Sequence, residues 1–266
     1  MTIFGAPWRQ IADSLWGVRC VWLRYFDVFR KSLVYYLVTT FSEPILYLLA
    51  FGFGVGSLVG SLEVGGAEVS YRRFVFAGII GQTLLFQGFY EASYGGFVRM
   101  YYQKIFSAMA VTPITLSEVL WGELLWDASK ATLAAEVVVL IGTASGDFPP
   151  FAPFALLPLA FVSALLFAGL GLAVAARARA IEEISYPQYL IVFPMFLFCG
   201  VFYPIETLPR ALQWLAWALP LTSVNSLART ITLGFPFQPW SIAILAAWLM
   251  LLVGYSRRAM VGRLVK

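Results

Sequence analysis

Histidine is absent from this chain of 266 residues, which removes the commonest general base and the commonest metal ligand. Cysteine occurs twice, Cys20 in the amino-terminal segment and Cys199 deep in an apolar run, so no disulfide scaffold is implied. Charge is scarce: 12% of residues, against about 25% in a soluble domain. The four lysines follow Arg30, Gln103, Ser129 and Val265, never a glycine, so the chain has no G-x-x-x-x-G-K-[ST] phosphate loop. If ATP drives this protein, another chain binds the nucleotide. No catalytic or metal-binding constellation is expected, and a net charge of +4 does not point to nucleic acid. Arg9, Arg19, Arg24, Arg30 and Lys31 crowd the first 32 residues with no apolar core ahead of a cleavage site, so no cleavable signal peptide is expected.

What is abundant is apolar, 61% of residues, gathered in long runs. About 20 such residues cross the hydrocarbon layer as a helix. By that measure spans are expected at Leu33–Val59, Phe74–Phe97, Leu116–Ile141, Phe154–Ala176, Tyr186–Tyr203 and Phe237–Tyr255. Between the last two, Pro204, Pro209, Pro220 and Pro236 cut an apolar stretch. The piece Ala211–Leu219 is too short to cross, which predicts a re-entrant or interfacial helical hairpin. The fold class is therefore an all-α integral membrane protein with six transmembrane helices, occupying residues 33–266 as one domain.

Residues 1–32 are expected to form a separate cytoplasmic element. Ile11, Leu15, Val18, Trp22, Phe26 and Phe29 recur at steps of three and four, with Arg9, Asp13, Gly17, Arg24, Asp27 and Lys31 mostly opposite. This is the pattern of an amphipathic helix lying in the headgroup layer, or of one packed on the protein's own cytoplasmic face. Orientation follows from the basic residues. With both termini inside, the outer loops hold only Arg72, Arg73, Arg210 and Arg229, and Lys130 lies in a span. The remaining Lys and Arg, Arg99 and Lys104 among them, are cytoplasmic, as the positive-inside rule requires.

The loop beginning at Arg99 contains a short helix at residues 104–111, with Ile105, Phe106 and Met109 on one side and Pro113 ending it. Such a helix either connects two spans or inserts into a groove on a cytoplasmic partner, in which case Phe106 is the residue whose replacement by Asp tests the contact. In the third expected span Glu123, Asp127 and Lys130 share one helical face. Charges in a span are costly and face protein or a water-filled cavity. They serve either as a relay or as structural pairing, and Asp127 and Lys130 can pair within the helix. Gln87 and Glu91 invite the same two readings, and Glu43 precedes Pro44, where a kink makes a local polar partner useful. Aromatic residues, 17% of the chain, concentrate in the first and fifth spans: Tyr35, Tyr36, Phe41, Tyr47, and Tyr186, Tyr189, Phe193, Phe196, Phe202. They form either a conduit wall or helix packing.

The run FLFCGVFYPIETLPRALQWLAWALPLTSVNSLART, from Phe196, resembles the signature of type-2 ABC exporter permeases. The matching positions are Gly200, Phe202, Tyr203, Pro204, Leu208, Pro209, Leu212, Gln213, Leu219, Pro220, Leu221, Thr222 and Arg229. Ser223 stands where many members have His, so no role of that His carries over. The loop RMYYQKIFSAMAVTPITLSEVLWGELLWDASKATL is similar to its counterpart in the nodulation-factor exporter permeases, which move lipo-chitooligosaccharides. The resemblance implies a multi-pass protein of the bacterial inner membrane, working as a homodimer on two ABC ATPase subunits that bind the ATP and Mg. It implies a coupling helix at Lys104, Ile105, Phe106, Ser107, Ala108, Met109 and Ala110. It also implies a path for an amphipathic substrate (a lipo-oligosaccharide, glycolipid, polysaccharide or drug) between the two copies, along Tyr35, Tyr36, Gln87, Glu91, Tyr189, Phe193 and Phe196. Two other classes compete: an ion- or proton-coupled secondary transporter relaying through Glu123, Asp127 and Lys130, and a non-transporting membrane anchor. The absence of broken helix pairs of inverted repeats counts against the first of these.

Overall fold

The computed structural model describes residues 7–64 and 67–264 and is almost wholly helical. The side chains of Arg9, Ile11, Asp13, Phe41 and Ala110, and all of residues 1–6 and Lys266, lie outside the described residues. Helix α1 (Pro7–Lys31) precedes α2 (Leu33–Tyr47), which runs through a π-helical stretch, Leu48–Val55, into the turn α3 (Gly56–Val59). A hairpin of β1 (Ser61–Val64) and β2 (Ala67–Ser70), with Ser61 opposite Ser70, leads to α4 (Tyr71–Tyr90). Two π-helical turns, Glu91–Gly95 and Val98–Tyr102, carry α4 onward to α5 (Ile105–Ala110). Then come α6 (Leu116–Ala144) and α7 (Ala152–Arg177). A broken rod follows: a 3-10 turn at Ile181–Ile184, α8 (Ser185–Pro187), a π-helical turn at Gln188–Val192, and α9 (Phe193–Phe198). Last are α10 (Arg210–Ala218), α11 (Pro220–Leu233) and α12 (Pro239–Leu264).

Helix α4 is the centre. It is largely apolar on every side, as befits a helix enclosed by others, and residues Phe74 to Phe86 are buried without a break, Gln82 and Thr83 included. Helices α6, α7 and α11 pack on it, α12 packs on α7, and α1 lies along α6. Small residues allow the closest approaches, as in helix pairs that cross in lipid. A Cβ at Gly171 of α7 would stand 2.5 Å from the Phe89 carbonyl oxygen, and one at Gly122 of α6 would run into Val21 of α1.

Among the described residues, three helical segments are long and apolar enough to cross a membrane by length and composition: Leu33–Val59, Ala152–Arg177 and Pro239–Arg263. The first coincides with the expected first span, and the other two overlap the fourth and sixth. The expected second and third spans fall on α4 and α6, whose apolar character is diluted by Gln82, Thr83 and Gln87 in one and Glu123, Asp127, Lys130 and Glu136 in the other. The expected fifth span differs. It stops being helical at Phe198, because Cys199 and then Gly200, at φ 71°, leave the helical region. The β-hairpin has no counterpart in the expectation, since strands of four residues carry too little alternation to register.

The proline-cut stretch does form a pair of helices, and the longer one is the second, α11, which is largely buried rather than lying at a surface. Its signature residues act as carbonyl ties. Gln213 Nε2 donates to the Leu208 oxygen (2.8 Å), Thr222 Oγ1 to Ala216 (2.5 Å) and Tyr203 to Leu197 (2.7 Å). Arg229 Nη2 donates to the oxygen of Gly200. The oxygens of Leu208, Leu197 and Gly200 are acceptors at the broken helix ends, and the Ala216 oxygen takes the Thr222 hydroxyl besides the Leu219 N–H.

Helix α1 also corrects part of the expectation. Its packed face is Val18, Val21, Trp22, Tyr25 and Phe29, whereas Leu15 and Phe26 stay exposed. Trp126 of α6 receives the rings of Trp22 (5.7 Å), Tyr25 (6.1 Å) and Phe29 (5.7 Å), and Trp22 Nε1 donates to Ser129 Oγ at 3.2 Å. Packing on the protein's own helices thus takes most of the apolar stripe. The exposed Leu15, Trp16, Leu23 and Phe26 are left for other contacts.

Candidate functional site

Helix α5 sits in a tight connector. Lys104, at φ 51°, is the only non-glycine residue with positive φ among the described residues and turns the chain sharply into α5. After α5, Thr115 starts α6 with a capping box: its backbone N–H donates to Glu118 Oε2 at 2.6 Å, and its hydroxyl accepts from the Glu118 N–H. The apolar side of α5 points inward. Phe106 is 1% exposed and Met109 is buried, while Ser107, Ala108, Lys104 and Val111 face out. Phe106 is thus core, and an Asp there would break the fold instead of testing an outside contact. The outward residues are the ones a partner could meet.

Directly beyond α5 the π-helical turns carry Glu91 and Arg99 against α6. Arg99 Nε lies 2.6 Å from Glu123 Oε1, Nη1 2.8 Å from Glu91 Oε1, and Nη2 3.0 Å from Asp127 Oδ1. Lys130 Nζ lies 2.5 Å from Glu91 Oε2 and 4.4 Å from the centre of the Tyr36 ring. The expected pairing of Asp127 with Lys130 inside α6 does not occur. Each reaches across to the α4 extension instead, because Arg99 can serve three carboxylates with its planar fork. The charges are therefore paired between helices. Glu43, half-buried in α2, joins no ion pair among the described residues. A cavity of about 400 Å³ opens beside the cluster, lined by Tyr25, Phe29, Tyr36, Glu91, Tyr94, Arg99, Trp126 and Lys130.

The expected substrate-path residues fall into two groups. Tyr36 and Glu91 line this cavity, with Tyr35 exposed at the edge of Tyr36 (5.9 Å) and Gln87 half-buried a turn before Glu91. Tyr189, Phe193 and Phe196 form a second group, a wall of rings with Phe86 of α4 and Tyr47 of α2: Phe86 lies 5.9 Å from Phe193 and 5.0 Å from Phe196, and Tyr47 lies 6.0 Å from Phe196. Tyr90 and Tyr94 link the groups, both bonded to Gln188 (3.3 and 2.9 Å). The first, second and fifth expected spans are thus joined through aromatic side chains. Sequence reasoning missed Arg99, Tyr25 and Trp126. Arg99 counted only as an orientation charge, although it lies eight residues after Glu91 and so on the same face if the helix runs on.

At the other end of the bundle a cavity of about 620 Å³ is enclosed by the hairpin, α10, α11 and the loop at 234–238, with Arg73, Phe74, Glu206, Trp217 and Arg229 among its walls.

Comparison with known proteins gives a consistent result. The model of the ABC-2 type transporter family matches residues 18–233. Nodulation protein J of Rhizobium leguminosarum bv. trifolii is 33% identical over 216 residues, 81% of each chain. Nodulation protein J of Rhizobium meliloti (strain 1021) is 30% identical over 233 residues, 86% of this chain and 87% of the relative. The inner membrane transport permease YadH of Escherichia coli (strain K12) is 23% identical over 213 residues, 79% of this chain and 80% of the relative. The chain belongs to the ABC-2 type transporter family.

Proposed function

With that membership as premise, we propose that this transmembrane permease subunit serves an ATP-driven exporter of the bacterial inner membrane and moves an amphipathic molecule such as a lipo-oligosaccharide, glycolipid, polysaccharide or drug. Six spans cross the bilayer in this reading: the segment through α2 and α3, α4 with its extension, α6, α7, the broken rod ending in α9, and α12. Both termini are cytoplasmic, α10 and α11 form the re-entrant pair, and the exposed face of α1 rests in the headgroup layer. Two copies pair, and two ABC ATPase subunits, which hold the ATP and Mg, sit beneath them. Substrate passes between the copies along the cavity and the ring wall.

The observation that carries this reading is the two-sidedness of α5. Its inner side is anchored by Phe106 and Met109, while Lys104, Ser107, Ala108 and Val111 form an outward strip with nothing packed on it among the described residues. A helix so anchored transmits a push rather than absorbing it. Arg99, five residues ahead of Lys104, passes that push to α6 through Glu123 and Asp127 and, via Glu91, to Lys130. Closure of the ATPases on ATP thus shifts α4 against α6 and opens the other end, an alternating-access cycle.

The test uses the outward strip. Ser107→Glu with Val111→Asp should leave expression and melting temperature unchanged while reducing co-purification of the ATPase and substrate-stimulated ATP hydrolysis at least tenfold. Wild-type association and hydrolysis in that variant would remove α5 from the mechanism. Transport by the purified chain from an ion gradient, without any ATPase, would instead favour the secondary transporter.

A further inference from the structure

The cavity of about 620 Å³ at the hairpin end holds charges of two kinds. Glu68 of β2, Arg73 of α4 and Glu206 of the 3-10 turn Ile205–Thr207 are exposed at its rim. Charges so placed are screened by water and salt. Glu68 already accepts from Ser61 Oγ at 2.5 Å, and Arg73 Nε lies 3.7 Å from Asp147 Oδ1. Arg229 is different, since it lines the same cavity and is 7% exposed. The charge on the inner wall is therefore positive and poorly screened.

Its partners leave part of the guanidinium unused. Nη2 makes the hydrogen bonds, to the oxygens of Gly200, Phe74 and Val201. Nε has no acceptor, and Nη1 donates to no group among the described residues. The ion pairs of those residues are made by Arg72, Arg73, Arg99 and Lys130, so no carboxylate answers Arg229. A buried cation held by carbonyl dipoles alone is costly. An oxyanion is the group that a planar guanidinium matches. The rest of the wall shows what body that oxyanion carries. Ile205, Leu233 and Phe235 give an apolar lining, and Trp217 adds a half-buried ring. The hydroxyl protons of Thr222, Ser226 and Thr232 are spent on Ala216, Gln238 and Ala228, which leaves few donors for a neutral polar ligand.

We propose that this cavity binds an amphipathic oxyanion, a phosphate ester or carboxylate that takes Nη1 of Arg229 and lays its apolar body against Trp217 and Phe235. A phospholipid headgroup and a free organic anion both present that chemistry. The bound oxyanion shares Arg229 with the Gly200 turn and so ties α11, that turn and α4 more firmly together. Glu206 at the rim opposes it, and removing that charge tightens the site. The site belongs to a single copy of the chain and depends neither on α5 nor on passage between copies.

The experiment measures binding of hexyl phosphate to the purified full chain in phosphatidylcholine nanodiscs, with no ATPase present. Its failure is therefore separate from failure of the coupling reading. Hexyl phosphate should bind saturably and raise the melting temperature, whereas hexanol and hexylammonium should do neither. Glu206→Gln should tighten binding about threefold, as loss of one exposed like charge allows. Ser226→Glu places an acid on the cavity wall one turn before Arg229. It should keep the fold and weaken binding about tenfold or more. Basic sites elsewhere on the chain would answer to neither change. Phosphatidylglycerol added to the discs should compete if a lipid headgroup is the natural occupant, and unchanged affinity there assigns the site to a free organic anion. The proposal is overturned if hexyl phosphate does not saturate, if hexanol binds as well, if Glu206→Gln weakens binding or leaves it unchanged, or if folded Ser226→Glu binds like wild type. Should Ser226→Glu not fold, the sign of the Glu206→Gln effect decides alone.

Discussion

Arg99 and Arg229 are both held among helices, yet their surroundings are opposite. Arg99 meets three carboxylates that come from two helices. Arg229 meets none within ion-pair distance among the described residues. Its Nη2 donates to the carbonyl oxygens of Gly200, Phe74 (3.4 Å) and Val201 (3.5 Å), and its guanidinium carbon lies 3.7 Å from the centre of the Phe74 ring. Carbonyls are fixed by the backbone, so Arg229 fastens α11 to the Gly200 turn and to α4 in one geometry. Carboxylates sit on rotatable side chains of different helices, so Arg99 can exchange partners as those helices slide. The first arrangement resists motion; the second permits it while staying paired.

This contrast can be broken in a graded way. The largest loss is expected for Arg99→Met, which leaves three carboxylates facing Lys130 alone. It should cost about 3–5 kcal/mol, as when one partner of a buried ion pair is removed, read as a fall in melting temperature. Adding Glu123→Gln and Asp127→Asn to Arg99→Met should recover much of that loss, which no carbonyl-based site could do. Arg229→Met should cost less, about 1–3 kcal/mol for the acceptors left unmade. Arg229→Lys should not restore it fully, because an ammonium cannot span the carbonyls as a planar fork does. The smallest effect is expected at the hairpin end, where Arg72 lies 2.7 Å from Asp147 with its own side chain 37% exposed. Arg72→Met there should cost at most about 1 kcal/mol. Added salt should erode that difference while leaving the Arg99 effect in place.

The spans were legible where composition alone decides them. Leu33–Val59, 27 residues long, is apolar enough to span on its own composition despite Glu43, and among the three such segments of the described residues it is the least enclosed. The helix at 104–111 and its stop at Pro113 were legible too, since proline acts locally. What its apolar side touches was not: Phe106 could face a partner or its own core with the same periodicity. The charges of α6 were visible in the sequence, but their partners were not, because Arg99 lies beyond the end expected for the neighbouring span. The helix expected at Tyr186–Tyr203 runs past the observed end at Phe198 because Cys199–Tyr203 is apolar, and apolar character says nothing about the carbonyl ties that turn this stretch out of the helix.

By itself the sequence determined the material of the protein: apolar segments of membrane-spanning length, too few charges for a soluble body, no nucleotide loop, and a family signature. Those are properties of residues one at a time or of their near neighbours along a helix. Only the tertiary structure decided which side of α5 is buried, that Asp127 and Lys130 look away from each other, and that one arginine is paired with acids while the other is bound by backbone. Each of those outcomes depends on the energy of bringing distant groups out of water together, and that energy is set by neighbours that local sequence does not name.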